Sequence, residues 1–347
     1  MAHELEIRNG QASMMYVGET PWHGLGTKLE GPATSAEAIQ AAGLDWRVAK
    51  IPLAASDGRT LQPVDRFAVV RMDLWGKDGG PVLGYVGSHY TPLQNRDAFR
   101  FFDDIVGEGA AIYHTAGALG HGERVWILAK LPEQIRVIGD DVVDKYLLLS
   151  NSHDGSSCVE VKFTPVRVVC QNTLSLALRW GRTIRVPHTR HVKDRLAEAA
   201  DLLGVVENEF ARAGMVFRRM AEIPVGGEAL GWYLDQVFPY PEDRTDSARL
   251  ARVTRDREWA GYFFDQGEGN GAAKVRGTLW AAYNGVTEYV DHRVLDQTGD
   301  RRLASVWFGD GRRIKARAFA AAVQMIPRQP RAMTGELDDM EISLCPN

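Results

Sequence analysis

The sequence predicts an α+β protein: an antiparallel sheet built from hairpins with covering helices, followed by a mostly helical C-terminal lobe. Three observations lead there. Alternating or β-branched runs crowd the first half, separated by turn signals such as Asp57-Gly58, Gly79-Gly80 and Asp154-Gly155. No strand in that half alternates with a long helix, which argues against a doubly wound parallel sheet. From Leu196 onward the apolar period changes to three-four, through Ala199, Leu203, Val206, Phe210, Ala213, Phe217 and Met220.

Taken in order, Thr34-Ser35-Ala36-Glu37 reads as a capping box, because hydroxyl and carboxylate can satisfy the orphan donors of a helix start, and a short helix to about Gly43 follows. Strands are expected at Trp46 to Leu53, Arg66 to Met72 and Val82 to Tyr90. Asn95 then caps an amphipathic helix, Arg96 to Val106, with Phe99, Phe102 and Val106 on one face. Two hairpins come next: Ile112 to Leu119 with Arg124 to Leu131, and Tyr146 to Ser150 with Val159 to Val169. A helix from Gln171 to Trp180 is expected to end at Gly181. The long stripe beginning at Leu196 is either a core helix or a seam between subunits. Trp232, Phe238, Trp259, Phe263, Trp280, Tyr283 and Tyr289 are the expected core of the second lobe. The resulting division is an N-terminal arm (1–32), an α+β sheet domain (33–190), a helical lobe (191–330) and an acidic, disordered tail (331–347).

Hydrophobic residues make up 45% of the 347-residue chain, enough to bury a core, and no apolar run approaches the roughly 20 residues of a spanning helix. Residues Met1 to Glu6 lack the basic and apolar regions of a secretory signal, and Cys158, Cys170 and Cys345 are too few and too odd for a disulfide framework. A cytoplasmic protein with reduced thiols is the expectation. The formal net charge of −4 gives no global pull toward nucleic acid or anionic membrane, so any such binding must come from local patches.

Two basic runs supply such patches. The first, Arg179-Trp180-Gly181-Arg182-Thr183-Ile184-Arg185, continues through Arg190, Lys193 and Arg195, and joins cations that can grip phosphates to an indole that can stack a base. The second contains Arg301, Arg302, Arg312, Arg313, Lys315 and Arg317, with Trp307 and Phe308 between. The competing reading of each is a solvated connector.

Asp154, Glu160 and Lys162 form the pattern with which some Mg²⁺-dependent nucleases place two carboxylate ligands and a lysine. Against it, aspartate is locally favoured in a turn, and Glu160 and Lys162 alternate with Val159, Val161 and Phe163 as a solvent face would. Cys158, Cys170, His188 and His191 lack the short spacing of a structural zinc site, and Cys170 with His153 has no nucleophile signature. Trp22-His23-Gly24-Leu25-Gly26 fails as a dinucleotide fingerprint, and no Walker loop, nucleophile elbow or metalloprotease helix occurs. No cofactor or metal is called for.

Several segments carry a resemblance: Glu19 to Gly26, Tyr90-Thr91-Pro92-Leu93-Gln94-Asn95, Asn151-Ser152-His153-Asp154-Gly155-Ser156, Phe163 to Leu174, and Thr278 to Asn284. In these the chain resembles the phage/plasmid-like protein family, an uncharacterised family of prophages, plasmids and actinobacterial genomes. The resemblance implies a mobile-element setting and no site residues. By architectural analogy, hairpins followed by a helix also resemble the core of single-strand annealing recombinases. The combined expectation is a non-catalytic, homo-oligomeric protein that binds single-stranded DNA non-specifically and promotes annealing in recombination. Arg167, Arg179, Trp180, Arg182, Arg185, Arg190 and Lys193 are the expected DNA contacts. The alternatives are the nuclease built on Asp154, Glu160 and Lys162, and a protein-interaction scaffold.

Overall fold

The fold is α+β, as seen in a computed structural model that describes residues 5–18, 24–31, 33–77, 80–106, 112–167, 172–173, 184–194, 203–243, 245–292 and 309–327. The chain opens with a two-stranded ribbon, β1 (Ile7–Arg8) and β2 (Gln11–Ala12), followed by β3 (Met14–Val17) and β4 (Thr27–Leu29). Helix α1 (Ser35–Ala41) has the capping box: Thr34 Oγ1 accepts the Glu37 N–H at 3.3 Å, and the Glu37 carboxylate accepts the Thr34 N–H at 2.9 Å. At its other end Gly43 takes φ +65°, and the Leu44 N–H returns to the Ile39 carbonyl at 2.9 Å, closing the helix as a left-handed glycine cap does.

A small antiparallel sheet comprises β5 (Val48–Ser56), β6 (Leu61–Arg71) and β7 (Val82–Val86), in that order. The outer half of its β5–β6 hairpin runs beyond β7 as an exposed ribbon that includes Leu61 and Val64. After α2 (Asn95–Val106) come β8 (Ile112–Leu119), β9 (Arg124–Ile138), β10 (Asp141–Ser152), β11 (Val159–Arg167), β12 (Asn172–Thr173) and β13 (Ile184–Val186). The main sheet has the order β12-β11-β10-β9-β8-β3-β4, with β13 beside β11, and every pairing is antiparallel except β3 with β4. The segment read as an N-terminal arm supplies strands β3 and β4 to this sheet.

Both faces of the main sheet are buried, which the side-chain alternation makes visible. On β9, Val125, Ile127 and Ala129 face one cluster while Trp126 and Leu128 face another; on β10, Leu147 and Leu149 alternate in the same way with Tyr146 and Leu148. The second face is covered in part by Leu5, Ala12 and Leu25. The first continues without a break into the helical layer of α3 (Leu203–Glu222), α4 (Gly227–Val237), α5 (Ser247–Gln266), α6 (Leu279–His292) and α7 (Asp310–Met325), so sheet and helices share one core.

The described part of the long apolar stripe lies inside that core. Phe210, Ala213, Phe217 and Met220 are buried, and the Phe217 ring sits 4.8 Å from Trp280 and 6.2 Å from Phe319. Trp280 in turn donates its Nε1–H to Asp141 at 2.9 Å, tying α6 to the start of β10. Phe238, Phe263, Trp280, Tyr283 and Tyr289 are buried as expected, whereas Trp232 is largely exposed. Helices α5 and α6 touch backbone to backbone at Gly285, where a methyl group would overlap the Phe264 amide and the Ala260 carbonyl.

Two departures concern β strands. Residues 172–173, expected to be helical, are extended and pair antiparallel with Val166 and Arg167; the rest of the predicted helix lies outside the described residues. Strands β9 and β10 run on to meet at Gly139-Asp140, a two-residue turn that pairs Ile138 with Asp141, with Gly139 at φ +56°.

The small sheet is fastened to the main one by Arg71, whose side chain is 0% exposed. It ion-pairs with buried Glu6, bonds Asp73 at 3.0 Å and the His121 carbonyl at 3.0 Å, and lies 4.1 Å over the Trp46 ring. Arg71→Ala leaves Glu6 charged and buried beside a void, so urea unfolding is expected to show a loss of about 3–5 kcal/mol. Gly285→Ala is expected to cost about 1–3 kcal/mol by forcing α5 and α6 apart.

Candidate nucleic-acid interface

The segment from Gly87 to Asn95 is threaded between the two sheets and held by polar side chains. Lys50 donates to the carbonyls of Ser88 at 2.7 Å and Tyr90 at 2.8 Å. Gln94 pairs with both backbone groups of Val48 at 3.0 Å, standing in for a neighbouring strand. At the end of β10, Asn151 donates to the Leu93 carbonyl at 3.0 Å, and the Tyr90 hydroxyl donates to the Ser152 carbonyl at 2.9 Å. Thus Tyr90–Asn95 and Asn151–Ser156, two of the segments that carried the resemblance, are built against each other.

His153 is at the centre of this junction and fully buried. Asn95 gives its Nδ2–H to the Leu44 carbonyl at 2.9 Å, so its Oδ1 must be the acceptor of the 2.9 Å bond from His153, which fixes the proton on Nε2. Nδ1 is buried without a partner. Burial, joined by Arg71 and by His188 where that ring is protonated, holds the imidazole neutral and lowers its pKa to about 3 despite nearby Asp154. His188 stacks on Tyr90 at 4.7 Å, is 7% exposed, and is lowered to about 4 by burial, opposed by the Thr91 backbone and Asp154. Next to this pair an open cleft of about 390 Å³ is lined by residues 89–90, 155–158 and 187–189.

A cationic cluster adjoins the cleft. On β11, Glu160 and Lys162 form an ion pair, and Arg185 of β13, directly opposite Glu160, reaches the same carboxylate at 3.0 Å. Arg312 of α7 also acts electrostatically on both Glu160 and Lys162. Burial alone would raise the Glu160 carboxyl; Lys162, Arg185 and Arg312 hold it below the ordinary carboxylate range instead. Burial depresses Lys162, and Arg312 and Arg185 add to the effect while Glu160 opposes it. Among the described residues three cations from three elements thus act on one carboxylate, Arg185 coming from the first basic run and Arg312 from the second.

The other candidates are scattered more widely. Lys193 pairs with Asp97 at 2.8 Å, and Arg190 is exposed and donates to His191 at 2.9 Å. Of Arg167 only the backbone is described, paired with Asn172; Arg179, Trp180 and Arg182 lie outside the described residues, as do Arg301, Arg302, Trp307, Phe308, Cys170, Cys345 and the acidic tail. Lys315, counted in the second basic run, is buried in an ion pair with Asp291 at 2.9 Å and takes no part in a surface patch. Asp154 and Glu160 belong to separate networks: the Asp154 carboxylate accepts from the Ser152 hydroxyl and from the Ser156 N–H at 2.9 Å, while Glu160 is occupied by Lys162 and Arg185. Among the described residues no three His, Cys, Asp or Glu side chains are grouped to hold a metal ion. No described helix is long and apolar enough to cross a membrane.

The sequence pattern did not reveal Tyr90, Asn95, Asn151 and His188 as one constellation. A signal existed in the polar residues Gln94, Asn95 and Asn151 standing between apolar runs, where they need buried partners.

The neutral histidines have a measurable consequence. His114, lowered to about 4 by burial and Lys130, joins His153 and His188. Below the unfolded value near 6.5 the unfolded chain takes up protons that the folded chain refuses, so stability falls with pH, by up to about 1.4 kcal/mol per unit for each histidine. Urea midpoints should drop steadily from pH 7 to pH 5; a flat profile would contradict the buried neutral state.

Neither the curated proteins nor the solved structures include a match to this sequence. A domain of unknown function, DUF932, matches residues 82–307, which takes in the threaded segment, the β10–β11 turn and the basic strand β13. That match spans well over half of the chain, and the protein belongs to the DUF932 family.

Proposed function

We propose that this protein binds single-stranded DNA non-specifically through a phosphate-gripping surface centred on Lys162, Arg185 and Arg312, with Arg190 and Lys193 as further phosphate contacts. The observation that carries the reading is the convergence of the two basic runs on Glu160: Arg185 and Arg312 are far apart in sequence yet act on the same carboxylate. Among the described residues the cluster has more cations than anions, so phosphates would find a concentrated positive partner whose occupation releases counterions and depends on salt. In this reading the chain is cytoplasmic, of phage or plasmid descent, and non-catalytic. Several copies arrayed along a strand would hold it open for annealing to a complement, with Arg167, Arg179, Trp180 and Arg182 extending the surface.

Fluorescence anisotropy with a labelled oligothymidylate across a salt series tests this. For the double variant Arg185→Gln, Arg312→Gln, the slope of log affinity against log salt should fall by roughly 1.4, from the loss of two single-strand phosphate contacts. Unchanged affinity and slope would sink the proposal.

A further inference from the structure

Beside the cationic cluster, the cleft contains buried polar atoms that the fold leaves unpaired. The Thr189 hydroxyl and at least one ring nitrogen of His188 are buried without a hydrogen-bond partner among the described residues, the Thr91 backbone serving the imidazole on one side only, although a native interior pairs nearly all such groups. Tyr90 stacks on that histidine, and Ser156, Ser157 and the free thiol of Cys158 line the remaining wall. A neutral imidazole offers one donor and one acceptor, and a hydroxyl offers both, which suits the mixed donor and acceptor edge of a nucleobase better than a purely anionic or purely apolar ligand.

The position of the cleft strengthens this. Glu160 pairs with Arg185 and Val159 with Val186, so Cys158 and Pro187 continue the same two strands toward the cleft. Residues two apart on a strand share a face and are separated by roughly 7 Å. That spacing sets Cys158 beside Glu160 and Pro187 beside Arg185, a distance comparable to the reach from a backbone phosphate to its own base.

We infer that the cleft is a nucleotide subsite, receiving one unpaired base while Arg185 and Arg312 hold its phosphate. This rests on the single-strand reading above and adds the base to a contact otherwise made with charge alone. The base contact is indifferent to sequence because a hydroxyl and an imidazole can each donate or accept, as stacking grooves for single strands require.

The test compares an oligothymidylate with an abasic deoxyribose-phosphate oligomer of equal length, which keeps the phosphates and removes the bases. The intact protein should prefer the oligothymidylate by roughly tenfold or more, in line with single-base contacts elsewhere. Ser157→Leu narrows the cleft without touching a cation and should erase that preference at an unchanged salt slope; His188→Ala should do the same where it folds. Equal affinity of the intact protein for both oligomers would overturn the subsite and leave the phosphate surface standing, whereas binding to neither would overturn both. Thymidine monophosphate separates the two sources of the ligand: tight competition supports a site for free nucleotide, and weak competition supports a base presented by a strand.

Discussion

A guanidinium with no exposed surface holds the two sheets in their relation. Arg71 leaves the end of β6 and meets a carboxylate from the N-terminal segment, a carbonyl from the β8–β9 turn, Asp73 and the face of Trp46. Desolvating a charge of this kind is repaid only when its hydrogen-bonding directions are filled, and Arg71 has partners on several sides. The consequence reaches the candidate interface, because Trp46 also contacts His153, with ring centres 5.4 Å apart. Loosening Arg71 would disturb the floor on which the Tyr90 and His188 pair rests.

The threaded segment extends the same logic to neutral groups. A stretch without regular structure passes between two sheets, where its peptide groups are cut off from water and each must find a partner. Lys50 and Asn151 supply them to carbonyls of the segment, while its own Gln94 and Asn95 serve the backbone of Val48 and Leu44 in return, and each such contact joins residues distant in sequence. A chain that devotes this many buried amides to one loop fixes the geometry of the cleft behind it. Against that background His188 and Thr189 carry buried polar atoms without a partner among the described residues, as do Asn151 Oδ1 and His153 Nδ1 deeper in the same junction.

Local chemistry was legible in the sequence. The capping box at Thr34 and Glu37, the hairpins on either side of residues 120–122 and 154–155, and the change to a helical period were each decided by neighbours a few residues away, and the structure has them. The Gly139-Asp140 turn was equally local and was overlooked because Leu131 to Ile138 alternates less cleanly. What the one-dimensional pattern could not contain was adjacency across the fold. The stripe on α3 had two readings until Phe217 was seen against Trp280 and Phe319. Glu160 and Lys162 suggest a metal site with Asp154, and only the fold brings Arg185 and Arg312 to act on the same carboxylate; Lys315 reads as surface charge in the sequence, yet α7 buries it against Asp291.

The β5–β6 ribbon stands beyond the shelter of β7, and two strands there have open backbone edges. Such an edge invites another chain to add itself as a further strand. Pro52 and Pro63 each remove an amide hydrogen from the ribbon, and Asp65 with Arg66 puts charge where it narrows toward the sheet. Exposed Leu61 and Val64, set behind the polar turn Asp57-Gly58-Arg59-Thr60, are therefore presented on a scaffold that resists templated pairing.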